Sequence, residues 1–278
     1  MIKLVTDSAS QIPPELALRL DVAVVPVVVT VDGVDHREGV DLHAEEFWCR
    51  FKDGVGPEVT TSQPSPGEIA AVYHQAVRDG ASEIVSVHVG AEHSGTVNAA
   101  RLAADSVDVP VHLVDSGTAS FGVSCCVWEA GAALAAGASA DAAAERARAT
   151  ATTVGTTFII QALDFARKGG RLASHLADDH DGVMVLGGVA GAIDVLATGH
   201  SVDDLCDQMV EPFLADGRPI RAGVSLADPA TIVFTEGIEA RLRDSAVEVD
   251  LVRYRVGPSI AAHTGPGTAG GFWYPIGE

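Results

Sequence analysis

Lysine is nearly missing from this chain, with three among 278 residues, and lysine and arginine together number 18 against 38 acidic residues. The formal net charge of −20 argues against a nucleic-acid partner, because phosphates require a basic footprint. It equally disfavours docking on an anionic membrane surface, and its plain consequence is solubility. Only four cysteines occur, Cys49, Cys125, Cys126 and Cys206. None forms a Cys-x-x-Cys pair, and the adjacent Cys125 and Cys126 lie in an apolar helical run, so buried free thiols are expected. Long apolar runs are missing too. The longest, Val183–Ile193, has 11 residues, where a bilayer span takes about 20. The chain opens on a strand pattern with no charged-then-apolar leader. A cytoplasmic protein without an integral membrane segment is expected.

Several enzyme signatures are also absent. There is no G-x-x-x-x-G-K-[ST] phosphate loop and no G-x-S-x-G nucleophile elbow. Gly265-Pro266-Gly267-Thr268-Ala269-Gly270 fits G-x-G-x-x-G, but the eight residues after it are too few for the helix and returning strand of a nucleotide fold. His175, Asp178, Asp179, His180 and Asp181 gather ligand-type side chains without helical His-Glu spacing or cysteine support, and read as a solvated loop. No metal, cofactor or catalytic residue is expected.

What is present points to an anion. Thr60-Thr61-Ser62-Gln63-Pro64-Ser65-Pro66-Gly67-Glu68, His93-Ser94-Gly95-Thr96 and His263-Thr264-Gly265-Pro266-Gly267 each set hydroxyls or an imidazole beside a helix start or a turn. Ser65 with Glu68 is a capping box and Pro66 suits the first helical position, so a helix is predicted to about Arg78 with Ile69, Val72, Tyr73 and Val77 buried. Thr61 and Ser62 are then expected on the loop entering that helix, where backbone donors favour negative charge. Ser94-Gly95-Thr96 follows a buried strand, Glu83–Val89, and opens a second helix to about Asp105. Hydroxyls at helix starts are commonly plain caps; two such starts after successive strands favour a ligand site. His88 reads as a hydrogen-bonded core or edge residue, and His93 and His263 lie nearer the hydroxyls.

Strands alternate with helices from Ile2 to Thr153, which predicts a three-layer α/β domain over residues 1–155 with a parallel sheet. Val22–Val31 reads as one β-branched run, turned back at Asp32-Gly33 through Val34–Arg37 as a projecting ribbon near residues 26–40. A helix from about Leu42 to Phe51, capped by Asp41, follows. Residues 156–278 predict an α+β domain with a mostly antiparallel sheet. Its expected elements are strands at Thr156–Ile160, Met184–Val189, Ile193–Ala197, Ile220–Leu226 and Val247–Val256, and helices at Val202–Leu214 and Pro229–Asp244.

The ordered set Val5-Thr6-Asp7-Ser8, Thr61-Ser62-Gln63-Pro64-Ser65, Ser94-Gly95-Thr96, Val114-Asp115-Ser116, Lys168-Gly169-Gly170-Arg171 and His263-Thr264-Gly265-Pro266-Gly267 resembles the DegV family of bacterial fatty-acid-binding proteins. The resemblance spans nearly the whole chain. It implies a long-chain fatty acid in a tunnel between two domains, with its carboxylate held at Thr61, Ser94 and His263 and the ligand set extended to Ser62, Gly95, Thr96 and Thr264. It also implies a partner acyl kinase, for which Arg167, Lys168 and Arg171 are the docking candidates. Phe158, Ile159, Ile160 and Leu163 are the tunnel candidates. The family often carries two serines where this chain has Gly90 and Ala91. Two other readings stand beside it: a serine esterase or thioesterase using Ser94, and a phosphate- or sugar-phosphate-binding protein.

Overall fold

A computed structural model describes residues 1–51, 56–163, 165, 167, 170 and 181–277. Lys168 and Arg171, and His175, Asp178, Asp179 and His180, lie outside them. In the first half the strands are β1 (Ile2–Asp7), β2 (Val22–Val25), β3 (Val28–Val31), β4 (Val34–Arg37), β5 (Val59–Ser62), β6 (Glu83–His88) and β7 (Val111–Asp115). The helices are α1 (Pro14–Arg19), α2 (Ala44–Trp48), α3 (Pro66–Arg78), α4 (Thr96–Ala104), α5 (Phe121–Ala135) and α6 (Ala140–Ala151). The second half carries β8 (Gly155–Ile159), β9 (Val183–Val189), β10 (Asp194–Gly199), α7 (Val202–Leu214), β11 (Ile220–Leu226), α8 (Ile232–Asp244), β12 (Val249–Arg255), α9 (Pro258–Thr264) and β13 (Ala269–Pro275).

Among the described residues these strands form three sheets. One is parallel, ordered β2-β1-β6-β7; one has six strands, β10-β9-β8-β13-β11-β12, and is antiparallel apart from the β11–β12 pair; the third is the antiparallel trio β4-β3-β5. The fold is therefore α/β with a parallel sheet in the first half and a mostly antiparallel one in the second.

Local chemistry explains the elements that matched. Ser65 Oγ accepts from Glu68 N at 3.3 Å while Glu68 Oε2 accepts from Ser65 N at 2.8 Å, a reciprocal cap that starts α3. Its buried residues are Ile69, Tyr73 and Ala76, with Val72 and Val77 half-buried. Ser201 caps α7 through Asp204 N at 3.1 Å. Helix α5 is buried all round from Phe121 to Gly131, and apolar there apart from Ser124 and Glu129, because it is sandwiched. Val123, Cys126, Val127 and Ala130 pack with Val85 and Val87 of the parallel sheet. Phe121, Cys125 and Trp128 pack with Tyr254 and Tyr274 of the six-stranded sheet.

Four expectations are corrected. The run Val22–Val31 is two strands in two different sheets, because Pro26 lacks the N–H that a continuing ladder needs. The projecting ribbon is three-stranded: β5 adds to β3, with Thr61 opposite Val29 and Ser62 opposite Val28. Thr61 and Ser62 thus end a strand and do not lie in a loop, and β5 is not part of the parallel sheet. Helix α2 starts at Ala44, with His43 as its cap residue; the Asp41 carboxylate instead accepts from Arg37 N at 2.6 Å. Finally, α9 and β13 occupy a stretch where no regular element was expected. Strand β13 sits centrally between β8 and β11. Its Gly270 takes φ +153°, and a Cβ there would strike the Thr157 carbonyl oxygen, so the glycines that read as loop are required by close strand approach.

Candidate functional site

The cavity that these sheets enclose has a volume of about 510 Å³, within the usual range for small-molecule sites. Ala9, Val27, Val89 and Val154 line it from the first half, and Phe158, Ile160, Ile193, Val256, Ile260 and Phe272 from the second. Of the four tunnel candidates, Phe158 and Ile160 face the cavity. Ile159 faces the opposite side, packed with Val185 and Met209, as strand alternation demands. Leu163 packs instead near Met184 and Leu186.

Polar groups gather at the rim where the lining residues are most exposed. Thr61, Ser62, Gln63, His93, Ser94, Gly95, His263 and Thr264 all line the cavity, with Ser62 and Gln63 exposed. Three segments far apart in sequence meet here. Thr61 at the end of β5 and His263 in the last turn of α9 lie 2.9 Å apart, Oγ1 to Nε2. Ser94 Oγ is 2.8 Å from Thr96 Oγ1 and accepts from Thr96 N at 3.3 Å. Thr96 is fully buried and backs Ser94 without lining the cavity, so this expected ligand contact supports another candidate instead. Gly95, the residue before α4, packs against Gln63 so closely that a Cβ would overlap its amide. That contact locks the Thr61 and Ser94 segments together.

Gly90 has a similar cause. A Cβ there would come within 2.9 Å of the Gly117 and Thr118 backbone, and its N–H bonds Thr118 O at 2.7 Å. Thr118 and Ser120 also line the cavity and were not singled out in the sequence. Ser225, Tyr254 and Ser259 were missed as well. The signal for Ser225 and Tyr254 is the alternation of β11 and β12, which cannot be assigned to a cavity until the sheets are packed; Ser259 lies on α9, where no regular element was expected.

No aspartate, glutamate, lysine or arginine occurs among the described residues lining the cavity. Tyr254 is fully buried and its phenol is pushed well up by burial, opposed in part by hydrogen bonds from Ser120 and Ser225, so it stays neutral. An anion here would meet hydroxyls, amide N–H groups and imidazoles, with no carboxylate to repel it.

A Ser-His-Asp sequence exists elsewhere. Asp7 Oδ2 lies 2.9 Å from His88 Nδ1, His88 Nε2 lies 2.8 Å from Ser86 Oγ, and Ser86 Oγ lies 2.8 Å from Tyr73 OH. Asp7, Ser86, His88 and Tyr73 are all 0% exposed and none lines the cavity. The chain of contacts staples β1, β6 and α3 together, and His88 is a core residue.

The model of the DegV family, whose proteins it describes as uncharacterised, matches residues 1–276. The chain belongs to the DegV family. A DegV domain-containing protein of Streptomyces coelicolor is 31% identical over 277 residues, covering 97% of this chain and 96% of that one. One from Mycobacterium tuberculosis is 30% identical over 285 residues, covering 97% and 95%. A DegV-family structure from Thermus thermophilus, described as fatty-acid binding, superposes with a TM-score of 0.86 at 31% identity and covers 99% of both chains. DegV from Bacillus subtilis, described as a fatty-acid-binding protein, shares the fold with a TM-score of 0.83 at 24% identity and 99% coverage of both chains. No helix among the described residues of this DegV protein is long and apolar enough to cross a membrane.

Proposed function

We propose that this DegV protein binds a long-chain fatty acid, with the acyl chain in the cavity between two domains, residues 1–155 and 156–278, and the carboxylate at the rim. The observation that carries this reading is the cavity itself: about 510 Å³, with walls that are mostly apolar surface interspersed with neutral hydroxyls, free of charged side chains among its described lining, and ending at Thr61, Ser94 and His263. The Thermus thermophilus relative, 31% identical and described as binding fatty acid, supports it. Thr61 and Ser94 would each donate a hydroxyl hydrogen bond to the carboxylate, Ser62, Gly95 and Thr264 complete the rim, and the imidazole of His263 stands beside Thr61. Thr96 acts by holding Ser94.

Organic extraction of the purified protein should release a fatty acid of roughly 14 to 18 carbons, the length that the family resemblance implies, identifiable by mass spectrometry. Thr61→Ala and Ser94→Ala should each weaken binding by about 1–3 kcal/mol, the range for a hydrogen bond to a charged group. Recovery of no lipid, with no uptake of added fatty acid, would sink the reading. Turnover of a chromogenic acyl ester that disappears in Ser94→Ala would replace it with an esterase.

A cytoplasmic site of action belongs to the same proposal, supported by four free cysteines, which suit a reducing compartment. So does a partner acyl kinase that phosphorylates the bound carboxylate. Arg167, Lys168 and Arg171 are three basic residues within five positions of sequence in a chain of net charge −20, and an arginine can grip an anion through two parallel bonds. Arg171→Ala should leave fatty-acid affinity unchanged and slow acyl-phosphate formation with the cognate kinase. Wild-type rates in that variant would return these residues to a structural role.

A further inference from the structure

Helix α9 is short, seven residues, and too short to hold its own shape without outside support. Its support comes from the first half of the chain. Gly257 N donates to Gln11 Oε1, and Ser259 N donates to Glu38 Oε1 at 3.0 Å. Glu38 is in turn fixed by Ser8 Oγ at 2.6 Å and by the Gln11 amide at 3.4 Å. Trp48 Nε1 donates to Val256 O at 2.9 Å just upstream. Glu38 is 6% exposed and Gln11 8%. A buried carboxylate on the first N–H groups of a helix satisfies donors that the helix cannot satisfy itself. Burial pushes the Glu38 carboxyl above its usual range, and the hydrogen bonds from Ser259, Ser8 and Gln11 oppose that shift.

The register of the small sheet gives this cap a second consequence. Val28 of β3 pairs with Arg37 of β4 on one side and with Ser62 of β5 on the other. Glu38 continues β4 by donating its N–H to Val27 O at 3.0 Å. Glu38 therefore lies opposite Val27 and Thr61 opposite Val29, so the two emerge near the same end of the sheet on the same face, two strands and two residues apart, about 12 Å. Ser259 and His263 are four residues apart on α9, a rise of about 6 Å. The sheet thus grips α9 twice, by Glu38 at its first turn and by Thr61 on the His263 ring in its last.

We infer that Glu38, assisted by Gln11, is a positioning residue that sets the Thr61–His263 pair by anchoring the start of the helix carrying the histidine. It touches no ligand. It fixes the angle and depth at which α9 presents the half-buried His263 imidazole to the rim. The consequence for affinity rests on the fatty-acid reading above; the consequence for the His263 ring does not.

The test uses the full-length protein, with palmitate as probe and the His263 ring followed by its 1H–13C NMR signals in ligand-free protein. Glu38→Ala should shift those signals and weaken palmitate binding about tenfold, the value of the one charge-assisted hydrogen bond that a displaced His263 would no longer give the carboxylate. Glu38→Gln keeps an acceptor for Ser259 N and should restore most of both, and it serves as the variant if the alanine protein does not fold. In a His263→Ala background, Glu38→Ala should change affinity less than twofold. An equal loss in both backgrounds, or unmoved His263 signals in the Glu38 variants, overturns the inference. A wild-type protein that binds no palmitate defeats the fatty-acid reading alone, and the His263 signals still decide the role of Glu38.

Discussion

Shortening the ligand from sixteen carbons to eight should weaken binding by about 6 kcal/mol, or about 10⁴-fold. Each methylene taken from water into an apolar cavity contributes about 0.8 kcal/mol, and eight are removed while the head group is unchanged. The walls formed by Val27, Val89, Phe158, Ile160, Ile193 and Ile260 supply the apolar surface. The rim hydroxyls, at about 1–3 kcal/mol each, orient the ligand and contribute less than the tail. Calorimetric titration with octanoate, dodecanoate and palmitate measures the slope directly. A difference below tenfold between the end members would mean that the tail lies outside the cavity and that a small polar anion is the real ligand.

Glu129→Ala should lower the unfolding free energy by about 3 kcal/mol, the lower end of the range for breaking a buried ion pair. Glu129 is 5% exposed. Its Oε2 accepts from Arg146 Nε at 2.8 Å, and its Oε1 accepts from Arg221 and from Tyr274 OH at 3.2 Å. Arg221 also lies over the Trp128 ring, 5.0 Å from its centre. The carboxylate of α5 thereby ties α6 to β11 and β13, and its loss strands a partly desolvated guanidinium beside a phenol whose ionisation burial already suppresses. The arginine side chains keep 52% and 22% exposure, which places the cost at the lower end. Glu129→Gln, which retains an acceptor, should lose less. Urea denaturation of the ligand-free protein checks both, and a loss under 1 kcal/mol for the alanine variant would show that the arginines relax into solvent unaided.

The sequence by itself determined the elements whose causes are local. The Ser65–Glu68 capping box and the Ser201 cap gave α3 and α7 their first residues, because a cap is a contact between neighbours in the chain. The alternation of strands and helices was legible enough to give the parallel sheet of the first half. The candidate rim residues could be named from motifs, but their meeting could not. Thr61 and His263 are 202 residues apart, and the bond between them exists only because β5 pairs with β3 and α9 crosses the end of that sheet. Strand β13 was hidden because its glycines look like a loop until the neighbouring β8 backbone is in place. The division of Val22–Val31 between two sheets, the choice of Ile160 over Ile159 for the cavity, and the cap that Glu38 places on a helix 221 residues away were likewise decided by tertiary structure. In each case the partner is remote in sequence, and the energy that selects the arrangement appears only when burial removes water from both sides of the contact.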